Sequence, residues 1–273
     1  MQLDLSSRPG DAVFAAEAEL FGWGGLHGGV VLARLAAAMS GEVAATAGDG
    51  GERPLLRSVT GRFLRAVRRD AELSVGVEAR GRTVGGGSAE VRHGDRVLVD
   101  ASAIFGTAVA GAGSSGAASA GGAQLVPDAP VVPPPERCQP FELGDLAPPV
   151  GRFVEIRPAD DRRPFTGGST PELIAWLRVV DDEGPPDLGR LIFLADSLAP
   201  SWSAVLDEPA LVPTIELTVR PTLGAEPADS PWVLVRTTAS EMSADGWCRE
   251  RIDLWGSGGA HLAAAEQLRL LLG

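Results

Sequence analysis

The stretch FGWGGLHGGVVLARLAAAMSGEV, residues 21–43, decides the fold. A Gly-rich segment leads into an apolar run whose side chains fall near helical spacing at Val30, Leu32, Ala33, Leu35, Ala36 and Met39. This spacing predicts a single central helix. Residues 11–20, just before it, are predicted to form an opening strand.

Three segments after the helix alternate apolar and polar residues. They are SVTGRFLRAV (58–67), AELSVGVEARGRTVGGGSAEVRHG (71–94) and DRVLVDASAIF (95–105), and Gly and Asp turn signals separate them. Alternation with period two is typical of strands that bury one face. The first part of the chain is therefore predicted to be a strand, a helix and an antiparallel meander.

Residues 106–149 are first rich in Gly, Ala and Ser and then rich in Pro, and they keep no period of 2 or 3.6. Such a composition is typical of an interdomain linker. A structureless connection of this length is also unusual inside one compact domain. We therefore predict an N-terminal unit at 1–107, a linker at 108–149 and a C-terminal unit at 150–273.

The same order of elements recurs after the linker. ELIAWLRVVDD (172–182) is predicted as a strand, DLGRLIFLADSLAPSWSAVL (187–206) as a helix, and four alternating segments follow. The last of these, AHLAAAEQLRLLL (260–272), is rich in helix formers, but its place in the repeat favours a strand. The predicted class is α+β, with two repeats, each a long central helix wrapped by a curved antiparallel sheet.

Composition excludes several classes of function. The chain has 36 acidic and 24 basic residues, a net charge of −12, which disfavours nucleic acid as a partner. Cys138 and Cys248 lie far apart with no CxxC or Cys/His grouping, so we expect free thiols and no metal site. The N-terminus lacks a signal-peptide pattern, and no run of about 18 apolar residues suggests a membrane span. We expect a cytoplasmic protein, and the absence of Lys, Tyr and Asn points to a GC-rich bacterial genome.

Three polar residues in the second half carry a family resemblance. They are Asp196 in LIFLADSLAP, Thr214 in VPTIELTVRP and Gln267 in GAHLAAAEQLRLLL; Trp176-x-Arg178 and the Gly-rich segment before the first helix add to them. In this order and at roughly these intervals, they resemble the acyl-CoA thioesterase II family, across all of the chain except the linker. The resemblance implies a double-hotdog fold. The strand TIELTVRP departs from the family by lacking an aromatic residue and a His before Arg-Pro, which puts substrate choice in doubt.

The resemblance also implies a reaction. Asp196, Thr214 and Gln267 together would bind and activate one water, which hydrolyses acyl-CoA to free acid and CoA. Backbone N–H groups of His27, Gly28 and Gly29 would meet the oxyanion at the start of the first helix. The resemblance implies no cofactor or metal. It does imply further assembly of the chains into dimers or tetramers. Ser58 and Ser102, aligned with Thr214 and Gln267, do not reproduce them, so one site per chain is predicted.

Each of these residues also has a purely structural interpretation. Asp196 alone could cap a helix near Pro200, Thr214 alone could be a strand hydroxyl, and Gln267 alone could face solvent. His27 is interpreted as a loop histidine beside the helix start in preference to a base. The basic cluster Arg62, Arg65, Arg68 and Arg69 either binds CoA phosphates or is a solvated strand edge, the more common case.

Two other functions stay open from the sequence. One is a hotdog enzyme of biosynthesis, such as a dehydratase or hydratase, acting on a CoA-bound or carrier-protein-bound acyl group. The hydratase type generally needs an Asp/His pair with Asn nearby, and the chain has no Asn. The other is a non-catalytic acyl-CoA binder. A serine hydrolase of the α/β kind is disfavoured because GxSxG is absent.

Overall fold

A computed structural model describes residues 3–7, 10–46, 53–80, 83–107, 126–142, 144, 147–223, 228 and 230–272. Within these ranges, eleven strands form one antiparallel sheet that curves around two α-helices. The first part of the chain supplies β1 (Val13–Phe14), α1 (Gly28–Ala45), β2 (Leu55–Phe63), β3 (Ala71–Arg80), β4 (Val84–His93) and β5 (Arg96–Gly106). The second supplies β6 (Val154–Pro158), β7 (Glu172–Val179), α2 (Leu188–Ala195), β8 (Thr214–Pro221), β9 (Val233–Met242), β10 (Trp247–Gly256) and β11 (His261–Leu270).

The strand order is β1-β3-β4-β5-β2-β8-β11-β10-β9-β7-β6. From the central pair outward, β2 is followed by β5, β4, β3 and β1, while β8 is followed by β11, β10, β9 and β7. The two halves therefore add their strands in the same succession, with β6 as an extra edge strand. At the junction Thr60 lies opposite Thr218, and their hydroxyl oxygens are 2.9 Å apart.

The predicted central helix is α1. Val30, Leu32, Leu35 and Met39 are completely buried, because β2 to β5 pack around the helix and α2 packs against its start. By length and mean hydropathy (1.3), α1 is the one described helix that could cross a membrane, but 61% of it is buried inside the protein. Its apolar composition is thus explained by its place in the core.

The second helix is a correction to the sequence prediction. Residues 187–206 were expected to form one long helix, but α2 ends at Ala195. Asp196 leaves the helical conformation, the Ser197 hydroxyl donates to the carbonyl of Phe193, and Pro200 follows. A short 3-10 helix, Ser201–Val205, comes next. Because Pro cannot continue a helix and a side-chain hydroxyl competes for the last carbonyls, α2 is only 8 residues long.

Three strand predictions have different outcomes. The opening strand expected at 11–20 is wrong over most of its length, since β1 spans only two residues and a 3-10 helix, Ala18–Leu20, follows. The strand β6 was not predicted from sequence; it pairs with β7 at the sheet edge. The last segment is a strand, as predicted, and the helical alternative is wrong because β8 and β10 flank β11 on both sides.

Part of the predicted linker lies outside the described residues, at 108–125, 143 and 145–146. Residues from Pro140 onward line the inner cavity, whereas residues 127–138 pack on the outer face of the second half of the sheet. There the indole N–H groups of Trp176 and Trp255 donate to the carbonyls of Pro133 (2.8 Å) and Pro127 (3.0 Å). The segment thereby covers apolar side chains that would otherwise face solvent. The division at 1–107, 108–149 and 150–273 stays a prediction.

Both cysteines are free and buried, as expected. Burial raises the pKa of the Cys248 thiol to about 12 and also raises that of Cys138. We therefore expect the native protein to react far more slowly than the unfolded protein with an aromatic disulfide reagent at neutral pH. The unfolded protein should release two equivalents of reagent thiol, one for each cysteine. Absorbance of the released reagent thiol measures both rates. Rapid reaction of the native protein would contradict the buried placement.

Candidate active site

Asp196 lies where α2 ends and faces the first turn of α1. Its Oδ2 atom accepts a hydrogen bond of 2.7 Å from the backbone N–H of Gly29, 167 residues away in the chain. The residue is buried, with 9% of its surface exposed. The first half of the chain thus supplies a donor to a carboxylate from the second half. An N–H group at a helix N-terminus favours a negative charge at this point.

The other carboxylate oxygen of Asp196 contacts two strands. Oδ1 accepts from the Thr214 hydroxyl at 3.0 Å and from the Gln267 amide nitrogen at 2.5 Å. Thr214 begins β8, and Gln267 lies on the neighbouring strand β11, so the sheet register brings both side chains to the end of α2. The three polar residues predicted from sequence therefore form one hydrogen-bonded cluster. Among the described residues, the groups that form hydrogen bonds with the Asp196 carboxylate are all donors.

Two glycines allow this close approach. A Cβ on Gly28 would lie 2.7 Å from Asp196 Oδ2, and a Cβ on Gly29 would lie 2.9 Å from the carbonyl oxygen of Phe193. No side chain fits at either position without displacement. Of the three N–H groups predicted to meet an oxyanion, that of His27 donates to Leu20 O and that of Gly29 to Asp196. The Gly28 N–H makes no hydrogen bond within the described part of the chain.

His27 caps the N-terminus of α1 and packs its ring against Phe193, with the ring centroids 5.4 Å apart. Its Nε2 lies 3.0 Å from the backbone carbonyl of Asp196, and a carbonyl can only accept, so Nε2 carries the proton. Nδ1 is buried and has no partner among the described residues. The ring therefore fixes the backbone at Asp196, which agrees with its interpretation as a structural histidine beside the helix start.

Two further charged residues, not selected from the sequence, contact or support the cluster, and Arg269 also reaches a cavity next to it. Arg269 donates to Gln267 Oε1 at 2.5 Å and to Thr214 Oγ1 at 2.9 Å, and its Nη2 is 3.6 Å from Asp196 Oδ1. Glu250 accepts from Arg269 Nε at 2.5 Å and is completely buried. A sequence signal existed, because Arg269 follows Gln267 by two positions on a strand and therefore shares its face.

A cavity of about 1160 Å³ opens beside Asp196. Asp196, Thr214, His27 and Gly28 line it, whereas Gln267 lies behind them and is only 1% exposed. Most of the other lining side chains are apolar, among them Phe63, Phe141, Phe165, Phe193, Leu173 and Ile215. Both halves of the chain contribute to the walls. A large apolar cavity that ends at a polar cluster suits a molecule with a long apolar part and one reactive polar group.

Two arginines of the basic cluster predicted from sequence also line this cavity. Arg65 donates to the carbonyl of Val97 and Arg68 to that of Gly24. Neither forms an ion pair with a described carboxylate, whereas Arg62 pairs with Asp100 outside the cavity. Arg65 and Arg68 therefore bring two positive charges to the cavity wall that no carboxylate of the described residues pairs with.

Two family models match this chain. The acyl-CoA thioesterase N-terminal domain matches residues 19–106, and the acyl-CoA thioesterase C-terminal domain matches residues 127–271. Together they cover most of the sequence. The chain belongs to the acyl-CoA thioesterase family. It is accordingly a thioester hydrolase, and hydrolysis of acyl-CoA is its reaction.

Several solved structures share the fold of this thioesterase. A hotdog-fold protein of unknown function from Alicyclobacillus acidocaldarius has a TM-score of 0.79 and 19% identity, covering 96% of this chain and 92% of that one. A candidate thioesterase II from Thermobifida fusca has a TM-score of 0.74 and 22% identity, covering 97% of this chain and 94% of that one. The acyl-CoA thioesterase II TesB2 of Mycobacterium marinum has a TM-score of 0.68 and 17% identity, covering 95% of this chain and 92% of that one. At these identities the likeness shows the hotdog fold alone. Among curated proteins, none matches the chain significantly.

The alignment of the two halves needs one correction in this thioesterase. Ser102 was aligned with Gln267, but Ser102 is exposed on the outer face of the sheet, whereas Gln267 points inward. The alignment of β5 with β11 is therefore wrong by one residue, and on a strand a shift of one residue moves every side chain to the opposite face of the sheet. The inward residues beside Ser102 are Ala101 and Ala103. Neither carries a polar side chain that could take the place of Gln267.

His261, a buried histidine, belongs to a different cluster of the thioesterase. Its Nε2 is 3.1 Å from Asp253, and its Nδ1 is 2.6 Å from the Thr222 hydroxyl. Although burial alone would raise it, hydrogen bonds from His261 and Arg251 hold the pKa of Asp253 below its ordinary value. None of these residues lines the cavity, so the cluster stabilises the sheet away from the site.

Proposed function

We propose that Asp196, Thr214 and Gln267 activate a water molecule that attacks the thioester carbonyl of an acyl-CoA. Asp196 acts as general base and takes a proton from the water as oxygen bonds to the carbonyl carbon. Thr214, which lines the cavity beside Asp196, orients this water with its hydroxyl. Gln267 lies behind both and holds the carboxylate in place through its amide N–H. The observation that carries the proposal is this carboxylate, surrounded by donors, at the wall of an apolar cavity.

The thioester oxygen gains negative charge as the water attacks. The Gly28 N–H, at the start of an 18-residue helix, supplies a hydrogen bond and a positive helix terminus at this point. When the tetrahedral intermediate collapses, the carbon–sulfur bond breaks. The proton held by Asp196 passes to the CoA sulfur, and free acid and CoA leave. The carboxylate is then ready for another water.

The cavity also supports CoA as the carrier of the acyl group. Arg65 and Arg68 present positive charge on a wall that also includes Trp23, whose side chain is largely exposed. Phosphates bind such guanidinium groups through charge-assisted hydrogen bonds. The apolar side chains near Phe63 and Phe193 suit the acyl chain. In this arrangement the thioester lies between the two, beside Asp196.

The proposal is tested by measuring free thiol released from a panel of acyl-CoA substrates of short to long chain length. Release that follows enzyme concentration is expected for at least one chain length. Binding of acyl-CoA without thiol release at any length would instead favour a non-catalytic binder. Conversion of the acyl-CoA to a hydrated or dehydrated acyl-CoA, with the thioester bond intact, would favour a biosynthetic hotdog enzyme.

Replacing the residues that orient Asp196 is expected to weaken the enzyme without removing all activity. Thr214→Val and Gln267→Leu each delete a hydrogen bond to a carboxylate, and we expect kcat to fall roughly 10- to 100-fold in each. Steady-state thiol release measures the effect. Thr218→Val is the matched control, because it deletes a buried hydroxyl of the same strand that bonds Thr60 outside the cavity. If Thr214→Val and Thr218→Val kept equal activity, Thr214 would have no part in orienting the water.

We further propose that the chain is a double hotdog with one hydrolytic site. The matching succession of strands on either side of the β2–β8 junction supports two repeats, and the family models divide the chain near the predicted linker. The lack of polar counterparts at Ala101 and Ala103 supports a single site. Assembly of these chains into dimers or tetramers and a cytoplasmic location stay predictions.

A further inference from the structure

A buried ion pair lies beside the Asp196 cluster, and its arginine, Arg269, also lines the cavity. Arg269 and Glu250 stand on neighbouring strands, β11 and β10, with Nε and Oε2 2.5 Å apart. Both side chains point inward, and both residues are almost completely buried. A buried ion pair is weak evidence for stability, because removing two charges from water offsets most of their attraction. Its position beside Thr214 and Gln267 instead suggests a part in the reaction.

Arg269 determines the direction of the hydrogen bonds around Asp196. A guanidinium group has donors only, so both groups that it contacts there must accept. Gln267 Oε1 accepts from Nη2 at 2.5 Å, which turns the amide NH₂ group of Gln267 toward Asp196. Thr214 Oγ1 accepts from Nη1 at 2.9 Å, which leaves the hydroxyl hydrogen to be donated to Asp196. With Arg269 absent, the Gln267 amide could rotate and present oxygen to the carboxylate.

Glu250 holds Arg269 in this position. One carboxylate oxygen accepts from Arg269 Nε, and the other accepts from the N–H and the hydroxyl of Ser201, each at 2.5 Å. Ser201 begins the 3-10 helix that follows the Asp196 turn, so Glu250 also joins this turn to the sheet. The guanidinium thus lies between two carboxylates, Asp196 at 3.6 Å and Glu250 at 2.5 Å.

We propose that Arg269, held by Glu250, is a positioning residue for thioester hydrolysis. It fixes Thr214 and Gln267 as donors to Asp196 and sets the charge that Asp196 experiences. This inference rests on the proposed role of Asp196 as the base. Among the described residues, the charged or titratable groups at Asp196 are His27, with Nε2 3.7 Å from Oδ2, Arg269, and Glu250 through Arg269.

The test compares kcat and KM in the full-length enzyme with an acyl-CoA that the wild type hydrolyses. Arg269→Gln is expected to lower kcat roughly 10- to 100-fold with KM changed by less than about threefold, because Thr214 and Gln267 lose the donor that turns both toward Asp196. Arg269→Lys keeps a cation that has donors only beside Glu250, so it should recover more of kcat than Arg269→Gln does.

Glu250→Gln tests how Arg269 is held. It replaces a charge-assisted hydrogen bond to Arg269 Nε with a weaker one, so kcat should fall, by less than in Arg269→Gln, with KM changed by less than about threefold. Asp253→Asn is the matched control, since it removes another buried, paired carboxylate of β10 that lies away from the cavity. This control should leave kcat and KM unchanged. A role in stability alone would lower the melting temperature of both variants without separating their kcat values.

The outcomes decide the inference separately from the proposed function. Arg269→Gln with wild-type kcat, or with a loss of kcat that Arg269→Lys does not recover at all, overturns it. If Arg269→Gln does not fold, Glu250→Gln decides, and a kcat equal to that of Asp253→Asn overturns the inference. An inactive Asp196→Asn beside a fully active Arg269→Gln removes the role of Arg269 alone. An active Asp196→Asn overturns the proposed base.

Discussion

Asp196→Asn is expected to lower kcat by roughly 10³-fold or more, with acyl-CoA binding retained. The substitution keeps the shape of the side chain but removes the oxygen that takes a proton from water. It also places an amide NH₂ among the donors of Gly29, Thr214 and Gln267, which need acceptors. Thiol release gives kcat and KM, and calorimetry with the inactive variant gives the binding affinity. Retained binding would show that the cavity is intact.

Asp187→Asn is the control for this change. Asp187 caps the other end of the same helix, where its carboxylate accepts from the Arg190 N–H. Asn is an equally good cap, so the control removes one negative charge from α2 while the helix and the cavity are kept. Its activity should match that of the wild type. If Asp196→Asn hydrolysed acyl-CoA as fast as Asp187→Asn, Asp196 would not be the base.

Gly28→Ala is the second large effect, and we expect roughly a 100-fold loss of kcat. The added Cβ would lie 2.7 Å from Asp196 Oδ2 and 3.4 Å from the Phe63 ring. Asp196 is held by donors on both oxygens, so it cannot move away without losing its alignment. Ala has a higher helix propensity than Gly, so the variant should not be destabilised through α1 itself. Thermal unfolding of the variant checks this directly.

Gly24→Ala is its matched control. Gly24 lines the same cavity four residues earlier, and a Cβ there would meet nothing within 4 Å. We expect this variant to keep wild-type kcat. Gly29→Ala should behave differently from both, since its Cβ would meet the backbone carbonyl of Phe193 and force α1 away from α2. A lower melting temperature is therefore expected for Gly29→Ala. Equal activity of the Gly28 and Gly24 variants would contradict the tight contact at Asp196.

Much of the architecture could be predicted from the sequence. The helical spacing of Val30, Leu32, Leu35 and Met39 predicts α1 clearly, because strands bury most of the surface of this helix. The end of α2 was missed because LIFLAD and SLAPSW read as one apolar segment, while the stop depends on local bonds of Asp196 and Ser197. The strand β6 is short and half-buried throughout, so its pattern carries no clear alternation.

The candidate site was predicted unevenly. Asp196, Thr214 and Gln267 came from the family resemblance, and the sheet register explains why residues so distant in sequence meet. Arg269 and Glu250 were missed, although both occupy inward strand positions where a charged residue is unusual. The use of the Gly29 N–H by Asp196 could not be read from the sequence, since it depends on how the two helices meet. Of the three N–H groups predicted for the oxyanion, this use of Gly29 leaves that of Gly28 for the proposed role.

The central claim is that water activated by Asp196 attacks the thioester directly. A single turnover in H₂¹⁸O, with enzyme in excess over acyl-CoA, tests it most directly, because mass spectrometry follows oxygen into both the acid and the peptide that contains Asp196. Direct attack predicts one ¹⁸O atom in the free acid, an equal amount of released CoA and no label in Asp196. An unlabelled acid with ¹⁸O in the Asp196 carboxylate would mean that Asp196 itself attacks the thioester, which contradicts the account.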